Sequence, residues 1–312
     1  MATRGAAAAA RPLTLRASRR RWGEDVIKVV LALCALLSVA TTVGIVVALF
    51  LPAFEFFQEV SIVDFLTGTN WSPLFVPSSF GVLPLVAGTL LVTSIACIVC
   101  MPFGLGAAIY LSEYAHGRTR SVLKPVLEVL AGIPTVVFGY FALTLVAPLL
   151  GDLGLSIVQP PFSALSAGLV MGVMLIPTVA SVSEDAMSAV PQDLRDGAYA
   201  VGSTRLQVAT RIVVPAAVSG IIASYVLAIS RAVGETMIVL IAAGGQPNLT
   251  FNPLEAVQTM TAFIAATGQG DTPTGSIEYK TIFAVGATLF VATLVMNLLS
   301  IRLVRRFREV YE

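Results

Sequence analysis

Long stretches without a single charge alternate with short polar ones along this chain. Residues 29–54, 65–112, 129–151, 153–183, 212–230 and 281–301 contain no Asp, Glu, Lys or Arg, and a helix that crosses a bilayer needs roughly 20 mostly apolar residues. The second run is too long for one helix. It holds a turn-rich stretch with Gly68, Pro73, Pro77 and Gly81, which leaves about 82–112 to span. The pattern predicts six transmembrane helices, near 27–51, 82–112, 122–150, 163–183, 213–243 and 281–303, and so an all-α polytopic membrane protein. The segment 244–279 is too polar for a seventh crossing, and its semi-apolar part, 254–266, reads as a short helix lying on the outer face.

An even number of spans puts both termini on one side, and the basic residues choose the side. With the N-terminus cytoplasmic, Arg4, Arg11, Arg16, Arg19, Arg20, Arg21 and Lys28 lie inside. They are joined by Arg118, Arg120 and Lys124, then by Arg195, Arg205 and Arg211, and finally by Arg302, Arg305, Arg306 and Arg308. Lys280, at the outer end of the last helix, and Arg231, within the membrane, are the exceptions. Glu55, Glu59, Asp64, Asp152, Glu255, Asp271 and Glu278 make the outside acidic. The resulting organisation is a basic cytoplasmic arm (1–26), a first helix (27–51), an external loop (52–81), a five-helix core (82–303) and a cytoplasmic tail (304–312). The core carries an inner loop, 184–215, and the external segment 244–279. Residues 1–23 superficially resemble a targeting segment, but the apolar run after them is long enough to span and lacks an evident cleavage site, so an uncleaved anchor is expected.

Composition agrees. Hydrophobic residues make up 56% and charged residues 12% of 312, with a mean hydropathy of +0.88, against roughly a quarter charged in soluble proteins. A water-soluble fold and a disordered chain are both excluded. A net charge of +1, from 19 basic and 18 acidic residues, argues against a nucleic-acid binder.

Catalytic and cofactor motifs are missing. Cys34, Cys97 and Cys100 all fall within predicted spans, and the C-x-x-C pair has no second Cys or His pair with which to hold zinc. His116 is the one histidine. No Gly-x-x-x-x-Gly-Lys occurs, so ATP is not bound here through a P-loop. The expectation is a non-enzymatic chain with no metal and no cofactor of its own. Gly168 and Gly172, and the stripe Ala216, Gly220, Ser224 and Ala228, read as close helix packing.

Two polar features stand out. In the inner loop, Pro191 can open a helix that continues from Gln192 to Val201. Gly202 can end that helix in a left-handed conformation, and a second helix follows from about Ser203 to Val214. In the fifth span, Arg231 and Glu235 sit at i,i+4 beside Thr236. An intramembrane arginine costs at least ~2.5 kcal/mol on insertion scales and faces protein or water. The spacing allows two readings: a self-neutralising pair that fixes packing, or an anion site in which the guanidinium fork takes oxyanion oxygens while Glu235 steadies it. Counted from Ala217, Arg231 lies about 21 Å along the helix, somewhat beyond mid-membrane.

The inner loop resembles the EAA loop of ABC-importer permeases. Asp196-Gly197-Ala198, Gly202, Ile212, Val214 and Pro215 stand at the matching offsets, with Asp196, Gly197 and Val214 departing from the usual Glu, Ala and Leu. Gly197 weakens its helix by roughly 1 kcal/mol relative to Ala. A longer resemblance is to the permease subunits of bacterial ABC phosphate importers, type I in fold. It is carried by Leu90-Leu91-Val92-Thr93-Ser94, Pro102-Phe103-Gly104-Leu105-Gly106, Leu111-Ser112-Glu113-Tyr114, the stretch from Ala131-Gly132-Ile133-Pro134 to Phe138-Gly139, and Arg231 to Met237. Asn70-Trp71-Ser72-Pro73 and Gln258-Thr259-Met260-Thr261 favour the PstC type over PstA.

The resemblance implies phosphate import across the plasma membrane by alternating access, with Arg231, Glu235 and Thr236 along the substrate path. It also implies coupling to ATPases through Asp196, Gly197, Ala198, Gly202, Ile212 and Pro215. The implied partners are a PstA-like second permease, two ATPase subunits docking on 193–205 and carrying the ATP and Mg, an extracytoplasmic phosphate-binding protein, and the lipid bilayer. Glu255 and Asp271 are expected to help dock the binding protein. The rivals are the same machine for molybdate or sulfate, and an ion-coupled secondary transporter, which would leave the helix–Gly202–helix element unexplained.

Overall fold

The computed structural model describes residues 22–155 and 161–306; the predicted basic arm up to residue 21 and the tail from 307 lie outside the described residues. The chain divides into two units, one up to Ala48 and one from Leu49 onward. Helix α1, Trp22–Glu59, is already helical ahead of the predicted start at 27. In the first unit Leu31, Leu36, Leu37, Val39 and Ile45 are each more than half exposed. A helix with large apolar side chains exposed all along it is one that lipid accommodates.

In the second unit, the end of α1 is held by an aromatic cluster. Phe56 is fully buried and meets Phe57, Phe65 and Phe80 edge-on, with centroids 5.3, 5.7 and 5.5 Å away. A short helix α2, Ile62–Thr67, and a two-stranded antiparallel ribbon, β1 (Trp71–Ser72) with β2 (Ser79–Phe80), pairing Trp71 with Phe80, complete this cluster. Trp71 stacks edge-on against Phe263 at 4.9 Å.

The centre is built by helix α3, Leu83–Ile109, which continues as a π turn through Tyr114, and by α7, Ala164–Ser188. The predicted glycine pair sets their approach. A Cβ on Gly168 would lie 2.7 Å from Ile95 Cβ, and one on Gly172 would lie 2.7 Å from Val99 Cβ. The second stripe packs α11, Val218–Val233, against α7: Gly220 abuts Ala186, Ser224 hydrogen-bonds Ser183 at 2.8 Å, and Ala228 is fully buried. Among the described residues five helices are long and apolar enough to cross a membrane, or six if the bent pair Arg205–Ala216 plus Val218–Val233 counts as one span.

Three predicted elements differ from the structure. The helix expected over 122–150 is two elements: α4, Gly117–Ala131, with no buried residue, and a span built of α5 (Thr135–Phe141), a π turn (Ala142–Val146) and α6 (Ala147–Asp152). Pro134 has no N–H and biases Ile133 away from helix, so the chain breaks at Gly132–Pro134. The helix expected over 213–243 ends at Val233 and resumes as α12, Met237–Ala242. The outer segment does not lie on the surface. Its helix, α13, is Met260–Gly268, and Val257, Met260, Thr261 and Phe263 are buried. Its backbone enters the bundle because Gly88 leaves room: a Cβ there would strike the Gln258 carbonyl.

Candidate functional site: a helix–glycine–helix loop and an arginine in the bundle

The loop over 184–215 folds as its sequence suggests. Pro191 precedes α8, Gln192–Ala200, and Gly202 takes φ +85°. The Gly202 amide donates to the Tyr199 carbonyl at 3.0 Å and the Ser203 amide to Ala198 at 3.1 Å, which closes the helix in a Schellman motif. Thr204 then opens α9, Arg205–Val208, by a reciprocal capping box with Gln207. The chain runs on through a π turn, Ala209–Val213, and α10, Val214–Ala216, before bending by 72° into α11.

Of the predicted coupling residues, Ala198 is buried with Met187, Val190, Val208 and Val213, and Ile212 packs on the edge of that cluster. Asp196 accepts from the Gln192 amide group at 3.1 Å, and Gly197 and Pro215 are exposed. Val201 and Leu206, beside the glycine turn, stand 83% and 62% exposed.

The anchors of this element were not among the predicted site residues. Arg195 is buried; it donates from Nε and Nη2 to Glu113 at 3.3 and 3.1 Å, and to the Val190 and Met187 carbonyls at 2.6 and 2.8 Å. The second anchor is Glu184, whose side chain is fully buried and accepts from Arg120, Ser188 and Lys124. Lys124 reaches Glu184 at 2.7 Å and Asp185 at 2.6 Å. Its hydrogen bonds, first to Asp185 and then to Glu184, hold its ammonium above the usual lysine range. Two acids, Glu113 and Glu184, at the ends of apolar runs were the available signal, since a carboxylate buried there requires a cation.

Within the bundle, the structure separates the residues that spacing had paired. Among the described residues no ion pair joins Arg231 to Glu235. The half-buried Arg231, on the last turn of α11, donates from Nη1 to Thr178 Oγ1 of α7 at 3.3 Å. Glu235 falls in the break after α11, where its carboxylate accepts the amides of Met237 and Ile238 at 3.0 and 3.4 Å. It therefore satisfies the otherwise unpaired first amides of α12. The Glu235 carbonyl accepts from Thr261 Oγ1 at 2.7 Å, and Thr236 donates to the Gly234 carbonyl at 3.3 Å. The inserted segment is tied to α3 as well: the Met260 amide donates to Thr89 Oγ1 at 3.1 Å. The stretches 231–236 and 258–261, far apart in sequence, thus meet at one broken helix.

Residues 100–309 match the model of the family described as binding-protein-dependent transport system inner membrane component. The chain belongs to that family. The permease is 35% identical over 280 residues to the probable ABC transporter permease protein YqgH of Bacillus subtilis strain 168, covering 89% of this chain and 88% of that one. It is 30% identical over 308 residues to the phosphate transport system permease protein PstC of Haemophilus influenzae, covering 92% and 95%. In fold it is similar to a chain of a bacterial alginate ABC transporter solved in complex with an alginate pentasaccharide-bound periplasmic protein. The TM-score there is 0.64 at 18% identity, over 94% of this permease and all of that chain. The type I permease architecture of an ABC importer is accordingly the fold of this multi-pass membrane protein.

Among the described residues no three His, Cys, Asp or Glu side chains gather as a metal site would require. Cys97 and Cys100 lie in the middle of α3, with Cys100 buried.

Proposed function

We propose that this permease carries inorganic phosphate inward by alternating access, powered by two separate ATPase subunits that supply ATP and Mg and dock on 193–205. The observation that carries the reading is Arg231: a guanidinium inside an apolar bundle, hydrogen-bonded to a hydroxyl, while the neighbouring Glu235 carboxylate is engaged by backbone amides. Its charge is matched best by a transported anion, and its planar fork suits an oxyanion. Thr178, which accepts the Arg231 hydrogen bond, keeps its hydroxyl hydrogen to offer an anion. Relatives named as PstC support phosphate as the cargo.

The mechanical path is short. The exposed apolar knuckle of Val201 and Leu206 enters a cleft of the ATPase, and Ala198 and Arg195 carry its displacement to the inner end of the bundle. The 72° bend at Ala217 then passes it to α11, whose far end bears Arg231 about 21 Å away. A PstA-like second permease completes the path. Both termini lie in the cytoplasm, so the acidic outer face receives a soluble phosphate-binding protein rather than free phosphate. Asp271 lines an outer cavity of about 460 Å³ together with Trp71 and Phe263, and Glu255 stands in the adjoining loop, holding Asn252 at 3.0 Å.

The test is uptake by the complete transporter in vesicles. Arg231→Ala should abolish binding-protein-dependent phosphate uptake while the chain still inserts; wild-type uptake by that variant overturns the assignment. Competition by molybdate or sulfate at concentrations where phosphate competes would move the cargo to another oxyanion, and uptake without ATP would reject the ABC reading. Docking of the binding protein that is unchanged in Glu255→Gln/Asp271→Asn removes the proposed role of the outer acids.

A further inference from the structure

At the root of the coupling element lies a polar cavity of about 290 Å³, bounded by the end of α3, by α4, by the end of α7, and by α8 and α9. Three arginines line it, Arg120, Arg195 and Arg205, against one carboxylate, Glu113. Glu113 is already bonded by Arg195. Arg120 is neutralised from behind by Glu184, which it shares with Lys124. Arg205 is the cation left over: it is exposed and, among the described residues, joins no ion pair. Asp193 and Asp196, the acids of α8, do not line the cavity. The remaining lining groups add donors. Tyr199 presents a phenol, and the Gln192 amide group, which also lines the cavity, donates to Asp196 at 3.1 Å.

A donor-rich cavity with one surplus guanidinium is complementary to a small, multiply charged oxyanion, since guanidinium–oxyanion hydrogen bonds are short, directional and charge-assisted. We propose that this cavity binds a phosphate group and that its occupancy restrains the coupling element. A phosphate there would bridge Arg205, which opens α9, to Arg120 on α4. It would tie the segment that must move with the ATPases to a helix that belongs to the body. Filled by inorganic phosphate, the site is a brake set by the phosphate concentration on the face that carries the coupling element; the same chemistry could be supplied by the headgroup of an anionic lipid. The site is separate from Arg231 and does not depend on phosphate being the cargo.

The experiment uses the complete transporter, with inorganic phosphate as the probe. Equilibrium dialysis in detergent against radiolabelled phosphate should show one bound phosphate per copy of this chain that Arg205→Gln loses and Arg205→Lys retains more weakly. In vesicles, ATP turnover should fall as phosphate is raised on the face that carries the coupling element. The half-inhibiting concentration, measured against each variant's own uninhibited rate, should rise at least tenfold in Arg205→Gln. If turnover instead follows the phosphatidylglycerol content of otherwise phosphatidylcholine vesicles, and Arg205→Gln removes that dependence, a lipid headgroup is the source of the phosphate group. Unchanged phosphate binding together with unchanged sensitivity to both phosphate and lipid in Arg205→Gln overturns the proposal. Arg231→Ala separates the two sites, because it leaves the Arg205-dependent bound phosphate in place even where transport is lost.

Discussion

Arg195 and Glu113 form one of the two polar anchors of the helix–Gly202–helix element, and Glu113→Gln tests how much that pair holds. Arg195 and Glu113 have side chains only 10% and 4% exposed, and removing one partner of a buried pair costs about 3–5 kcal/mol because the other charge is stranded. Arg195 keeps the Val190 and Met187 carbonyls at 2.6 and 2.8 Å, and the glutamine can still accept one hydrogen bond. The low end, about 3 kcal/mol, is therefore expected. That is roughly a 100-fold shift in the equilibrium between docked and undocked α8. Hydrogen exchange by mass spectrometry reads this directly: amides of 192–203 should exchange faster by up to about that factor, while peptides of α3 and α7 stay protected. On the proposed docking of ATPases on 193–205, ATP turnover should also become less tightly tied to uptake. Removing both charges in Glu113→Gln/Arg195→Met should recover much of the protection, as neither charge is left alone. Wild-type exchange over 192–203 in Glu113→Gln would refute the reasoning, and so would a double variant as loose as the single one.

Two further outcomes follow from particular contacts. Gly88→Ala drives a methyl group into the Gln258 carbonyl; the inserted segment should be expelled, with greater protease or thiol-label access at 256–261 and loss of uptake, and unchanged access would show that the helix can yield. Lys124 has its folded-state pKa raised by Asp185 and Glu184, so its stabilising contribution is full below its ordinary value near 10.5 and is lost as pH rises through the higher folded value. The difference in thermal stability between wild type and Lys124→Met should therefore be constant from pH 7 to 9 and shrink only in strongly alkaline buffer; a difference that shrinks between pH 7 and 9 would contradict the sign.

Where the sequence was read correctly, the information was local. The lengths of the apolar runs, the glycine spacing at 168 and 172 and the Pro191–Gly202 frame of α8 each rest on residues within a few turns of one another. Sequence could not say which prolines break a helix. Pro52, Pro102 and Pro177 lie inside helices, whereas Pro134 follows a break, and the difference depends on what the freed backbone groups meet. It also misjudged the juxtaposition of Arg231 and Glu235, because i,i+4 geometry holds only in an unbroken helix.

The sequence by itself determined that this chain lives in a bilayer, roughly where it crosses, and that the loop over 184–215 is a helix pair around a glycine; burial of apolar length and single-residue backbone preferences suffice for that. Tertiary structure alone decided that α11 stops before Glu235, that the segment around Gln258 turns inward under Gly88, and that Glu113 and Arg195 find each other. Each of these replaces a local hydrogen bond or hydration shell with a partner tens of residues away. Such a partner stabilises the break, the insertion or the buried charge only once the helices have packed.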